Sequence, residues 1–274
     1  MKQLGIEIEF TGVKRDDVIK ALENLFQTEA LVKSNNKVDI PYNYYKIKDY
    51  FGNYWTIIRD RSVKSQVYSK SSRFELTSIV DNDFEYSCEL VSPVLTSETL
   101  PVLFSIVDVI KATGGVVNNT CGIHVHVDRM PVEDIVNLYK RFVSEQDEIF
   151  NAFNVEDWRA EKYCKRYDSS IEVPKNFNSE EDFLYWIWCH YRDKEVDGDK
   201  EVRLSRSMRY YALNFYSLFQ HNTIEYRLFN STLDKVEIAR ILKWVISFTY
   251  PYEKLDDLSL VLEQILLMEM VNKE

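Results

Sequence analysis

Three short segments of the chain each set charged or imidazole side chains two residues apart: Glu7-Ile8-Glu9, His124-Val125-His126 and Glu225-Tyr226-Arg227. In an extended strand, residues i and i+2 project to one side of a sheet and i+1 to the other. Glu7 and Glu9 therefore share a face, opposite Leu4, Ile6, Ile8 and Phe10. Gly122, His124, His126 and Asp128 oppose Ile123, Val125 and Val127; Thr223, Glu225 and Arg227 oppose Ile224, Tyr226 and Leu228. Such strands must bury one face and leave the other polar. Laid side by side, they would present carboxylates, imidazoles and a guanidinium on one surface, which suits divalent cations and phosphate.

The rest of the chain supplies helices to cover the apolar face. Residues 2–10 read as a strand, and Asp16-Asp17 open a helix through Val18, Ile19, Leu22, Leu25 and Phe26. Residues 42–59 read as a hairpin about Phe51-Gly52-Asn53, 61–83 as a polar loop with strand character near 74–80, and 85–92 as a strand closed by Pro93. A helix from Ser97-Glu98 stops at Gly114-Gly115; a strand at 115–118 precedes the His strand at 122–127. Pro131 fits the first helical position of a helix reaching about Phe150. Residues 151–206, rich in Trp, Tyr and charge, read as a mostly helical insertion. Residues 210–230 return to strand composition about a Gln220-His221-Asn222 turn, and helices at 234–249 and 255–270 close the chain. Hairpin links dominate, so the expected fold class is α+β: a largely antiparallel sheet with helices on one face. A single catalytic domain over 1–274 is expected, carrying the insertion at about 151–206.

Composition narrows the function classes. Of 274 residues 45% are hydrophobic, enough for a sizeable core, and the formal charge is −10 with no dense Lys/Arg run, which argues against a nucleic-acid partner. Only 7 residues are glycine, and neither G-x-G-x-x-G nor G-x-x-x-x-G-K-[ST] occurs. A nucleotide would have to be held through metal ions rather than a glycine cradle. Cys88, Cys121, Cys164 and Cys189 are scattered, no apolar run approaches the ~20 residues of a membrane span, and residue 2 already begins a strand. The expectation is a soluble, cytoplasmic protein with reduced thiols and no membrane partner.

Each acidic motif also has an ordinary reading. Glu7-x-Glu9 alone is compatible with the wet face of an amphipathic strand. Glu225-x-Arg227 is compatible with a surface ion pair contributing at most about 1 kcal/mol. Glu89 and Asp60 are single acids near strand ends. His124-x-His126 alone fits zinc, iron or copper, so a metal-dependent hydrolase or oxygenase is an alternative. Taken together, carboxylates outnumber imidazoles, which favours Mg2+ or Mn2+ bound through carboxylates and substrate phosphates. An Arg beside them suits a transferring phosphoryl group.

Read in order, these segments resemble the amidoligases, carboxylate–amine ligases related to glutamate–cysteine ligase and glutamine synthetase. The resemblance rests on Gly5 to Phe10, Trp55 with Asp60 and Ser62, Glu89 to Pro93, Gly122 to His126, Arg209 with Asn214, and Thr223 to Arg227. It spans residues 1 to about 245. It implies a glutamine-synthetase-like catalytic sheet that binds ATP with Mg2+ and joins a small-molecule or peptide carboxylate to an amine through an acyl phosphate. It implies metal ligation by Glu7, Glu9, Glu89 and Glu225, with His124 or His126 completing a metal or phosphate contact. It further implies that Arg227 contacts the transferring phosphate, that Asp60 lies near substrate or metal, and that Arg209 meets a substrate carboxylate or a nucleotide phosphate. Glu75 or Glu85 is a candidate for one further ligand. A relative that kept nucleotide and metal binding but lost turnover is the other alternative. Substrates and oligomeric state stay open.

Overall fold

Alternation decides the first strand: Ile6, Ile8 and Phe10 are at most 1% exposed, while Glu7 between them is half-buried. In the computed structural model, residues 3–35, 42–68, 76–78, 84–251 and 257–271 are described. The chain divides into two compact units, one comprising Gln3–Ile123 and Ser231–Glu274, the other His124–Asn230 with the first two residues.

In the first unit, β1 (Leu4–Phe10), β2 (Leu31–Asn35), β3 (Tyr42–Lys48), β4 (Tyr54–Ile58) and β7 (Cys88–Val91) join in the order β2-β3-β4-β7-β1. Every one of these pairings is antiparallel. β5 (Gln66–Tyr68) and β6 (Leu76–Ser78) form a separate antiparallel pair. Helix α1 (Arg15–Phe26) packs on β3, β4 and α2 (Thr99–Ala112), burying Val18, Ile19, Leu22 and Phe26 against the sheet's apolar face, which Trp55, Ile57 and Leu90 supply. Asp16 and Asp17 in the first turn complement the helix dipole, and Gln27 closes the helix in the left-handed conformation. At the C-terminal end of the chain, α8 (Lys235–Thr249) packs on α9 (Asp257–Val271). Asp234 caps α8 by accepting the Val236 and Glu237 N–H groups.

In the second unit, β8 (Gly122–Asp128), which begins in the first, is followed by α3 (Val132–Ala152), α4 (Asp157–Lys162), α5 (Glu180–Tyr191) and α6 (Lys194–Asp197). Then come β9 (Leu213–Asn214), α7 (Ser217–His221) and β10 (Thr223–Asn230), with β10 antiparallel to β9 and neighbouring β8. Tyr139 of α3 makes edge contacts with Tyr167, Phe183 and Trp186, at centroid separations of 5.0, 5.8 and 5.7 Å. Gln146, also on α3, holds both backbone groups of Tyr167 at 2.9 Å.

The hairpin at 42–59 and the helices after Asp16 and Ser97 form as the sequence predicts. Several expected elements differ. Residues 115–118 form no strand: Val116 makes one bridge to Thr11, too little to propagate a ladder. Pro131 caps α3 with extended backbone instead of occupying its first turn. Gln220 and His221 end helix α7, with Asn222 left-handed after them, rather than turning a hairpin. Residues 84–86 form a 3-10 helix ahead of β7. The insertion is less helical than expected, since α4, α5 and α6 have 6, 12 and 4 residues and residues 163–179 contain no helix. Of its aromatics, Tyr167 and Tyr191 are buried, but Tyr185 is 56% exposed. Strand β2 has no counterpart in the sequence reading because Leu31 to Ser34 are all exposed and carry no alternating apolar pattern. Residue 2, Phe74, Glu75, residues 79–83 and the expected helix start at 255–256 lie outside the described residues. Among the described residues no helix is long and apolar enough to cross a membrane.

Candidate functional site

In the first unit, strand register assembles a carboxylate cluster. Glu9 on β1 is the antiparallel partner of Glu89 on β7, and Glu89 is in turn the partner of Ile58 on β4. Partners in an antiparallel pair share a face, with Cα atoms about 4.5–5.5 Å apart. The chain leaves β4 at Ile58 and brings Asp60 to the same place: one carboxylate oxygen from each of Glu9, Asp60 and Glu89 lies within 4.8 Å of the others. Glu7, two residues before Glu9, has Val91 as its partner and shares that face.

The surrounding backbone holds this geometry. Glu9 is 3% exposed and accepts the Gly122 N–H at 2.5 Å; its own carbonyl accepts the Ser231 hydroxyl at 2.5 Å. Ser62 donates to Asp60 through its backbone N–H at 2.5 Å and its hydroxyl also reaches Glu9, at 3.5 Å. Oxygen-only donors at this spacing suit Mg2+ or Mn2+. Trp55 is fully buried and donates its indole N–H to Asp49 at 3.0 Å, which fixes the β3–β4 turn; its place is structural.

In the second unit, Glu225 on β10 is the centre. Its antiparallel partner Asn214 on β9 donates to it at 2.6 Å, Arg227 donates to its other oxygen, and His124 Nδ1 lies 3.6 Å from that oxygen. Glu225 and His124 are 4% and 5% exposed. The insertion steadies this arrangement, because the Tyr167 hydroxyl donates to the Leu213 carbonyl at 2.6 Å, next to Asn214. His126 Nδ1 pairs with the Thr223 hydroxyl at 2.9 Å, and Thr223 with Ser217 at 2.8 Å, which orients the ring.

Two expected residues make no hydrogen bond or ion pair with either cluster. Arg209 is exposed, its guanidinium 5.0 Å from the Tyr210 ring centroid. Glu85 is exposed and paired with Lys14 at 2.5 Å. Strand alternation places Thr223 on the polar face, but its bond to His126 depends on pairing between segments far apart in sequence. Ser217 and Ser231 carry no local signal.

No curated protein matches this chain. A family model described as "Putative amidoligase enzyme" matches residues 1–249, the span that holds every residue of both clusters. With nine-tenths of its length matched, the chain belongs to the amidoligase family.

Proposed function

We propose that the protein is an ATP-dependent carboxylate–amine ligase of glutamine-synthetase-like fold that requires Mg2+ or Mn2+. The γ-phosphoryl group of ATP would pass to a substrate carboxylate oxygen, releasing ADP. An amine nitrogen would then attack the acyl carbon, phosphate would leave with the C–O electron pair, and the nitrogen would lose a proton, giving an amide or isopeptide bond.

The observation that carries this reading is the Glu9–Asp60–Glu89 cluster, in which one oxygen from each residue lies within 4.8 Å of the others and Glu9 and Glu89 are cross-strand partners. These residues, with Glu7, would hold the divalent cation, which supplies charge neutralisation for the phosphates when bound. Glu9 is placed by the Gly122 N–H and Asp60 by Ser62. In the second unit, Arg227 is a cationic group suited to a phosphate, and Glu225 with Asn214 holds its guanidinium in position. His124 and His126 provide a metal or phosphate contact, His126 with its Nδ1 already committed to Thr223. Arg209, exposed on its 3-10 turn, is assigned to substrate or nucleotide recognition.

The test is a phosphate-release screen of ATP with pooled carboxylates and amines. Wild-type protein is expected to release phosphate only when Mg2+, an acid and an amine are all present, and Glu9→Gln to lower that rate by about 100-fold or more. ATP binding without turnover in any pool would indicate an inactive relative. Turnover indifferent to ATP would end the ligase reading.

A further inference from the structure

The polar face of the first unit's sheet carries a cleft beyond the carboxylates. Its volume is about 520 Å³, within the range of small-ligand sites, and it is lined by Ser34, Asn35, Tyr44, Lys46, Thr56, Ile58 and Val91. Register ties it to the cluster. Glu7 partners Val91, Val91 partners Thr56, and Thr56 partners Lys46, so one cross-strand row runs from Glu7 to Lys46. Ile58, the partner of Glu89, borders the same cleft. Tyr45 and Ile47 point to the helix-covered side, which leaves Tyr44 and Lys46 on the cleft side.

The cleft is therefore polarised: acidic where it meets Glu7 and Glu89, cationic at Lys46. With neighbouring strands ~4.8 Å apart, two to three strand spacings separate the ends, on the order of 10–14 Å. Lys46 is half-buried and makes no ion pair with a described residue. In a chain of formal charge −10, Lys46 is the one ammonium among the described residues lining the cleft, and Lys33, the partner of Tyr44, shares its face, so that end selects for a negative group. An adenine ring would need flat apolar surface on both faces, and among the described residues lining the cleft Tyr44 is the one aromatic side chain.

We infer that this cleft is an acid-substrate subsite, in which Lys46 binds a second carboxylate of an extended, peptide-like substrate about two to four residues long. The inference rests on the ligase reading for the position of the reacting carboxyl. It predicts that length and charge together determine affinity, since an acid of several residues spans that separation more fully than a single amino acid does.

The experiment is calorimetric titration of glutamate, diglutamate, triglutamate and tetraglutamate into wild-type, Lys46→Glu, Lys46→Gln and Lys46→Arg protein with Mg2+ and ADP present. ATP–Mg2+ is titrated separately. Wild type is expected to bind triglutamate or tetraglutamate at least tenfold more tightly than glutamate. Lys46→Glu and Lys46→Gln should abolish that difference, Lys46→Arg should preserve most of it, and ATP–Mg2+ affinity should stay the same in all four. Equal affinities for short and long acids in wild type, or a length preference that survives Lys46→Gln, would overturn the subsite. So would a Lys46→Gln defect confined to ATP, which would make the cleft a nucleotide site. A length preference lost in Lys46→Gln, in a wild type that binds no ATP, supports the subsite and counts against the ligase reading alone.

Discussion

Glu9 is fixed at both ends. Its carboxylate accepts the Gly122 N–H and its carbonyl accepts the Ser231 hydroxyl, so its position depends on residues 113 and 222 places away in the chain. Alternation in Glu7-Ile8-Glu9 reveals which face it occupies. That Glu89 lies opposite it, and that Asp60 joins them, depends on a register that no local pattern encodes. Glu225 is comparable in the second unit. It is buried, and Asn214 is one of its donors, so Asn214→Leu removes a hydrogen bond to a buried charged group. We expect it to cost about 1.5–3 kcal/mol in denaturant unfolding. Asn214→Asp sets a second carboxylate against Glu225 and should cost at least as much. A change below about 0.5 kcal/mol in both would mean that Asn214 does not hold Glu225.

Elements were legible where burial alternates and obscure where it does not. β1, β8 and β10 alternate apolar and polar residues against a core and could be read directly. β2 is exposed along Leu31 to Ser34 and exists through its pairing with β3, which local sequence does not record. The Gln220–Asn222 region has turn composition, yet Asn222 in the left-handed conformation closes a helix there. Gly12 shows how an element end is set. It has φ +86°, and a Cβ added to it would lie 2.7 Å from Val116 Cγ2 and 2.8 Å from the Gly114 carbonyl. Neighbouring Thr11 exchanges backbone hydrogen bonds with Val116 at 2.8 and 2.9 Å. Gly12→Ala therefore combines a strained backbone with a clash, and we expect a loss of about 1–3 kcal/mol and a Tm several degrees lower. An unchanged Tm would show that the β1 exit relaxes freely.

At the scale of the whole molecule, the sequence reading anticipated the mixed helix and antiparallel-sheet character because its hairpins and amphipathic helices are local features. The division into two units was not legible, since β8 runs from one into the other without a break in composition. Thiol chemistry gives a global check on packing. Burial pushes the Cys88 thiol up to about 12 and that of Cys164 up to about 11, Cys121 is 1% exposed, and Cys189 is exposed. A raised thiol pKa leaves almost no thiolate at pH 8. The folded protein should therefore react with Ellman's reagent rapidly at Cys189 and slowly at the other three, and at all four once denatured. Rapid reaction of two or more thiols in the folded protein would mean that the cores around Cys88, Cys121 or Cys164 open readily.

The most direct test of the central claim is a Mn2+ titration followed by electron paramagnetic resonance, with and without ATP, on wild type and Glu9→Gln. The carboxylate cluster predicts saturable Mn2+ binding that ATP tightens and that Glu9→Gln weakens by tenfold or more with little change in Tm. Equal Mn2+ binding by the two proteins, or tight zinc with no response to ATP, would contradict it.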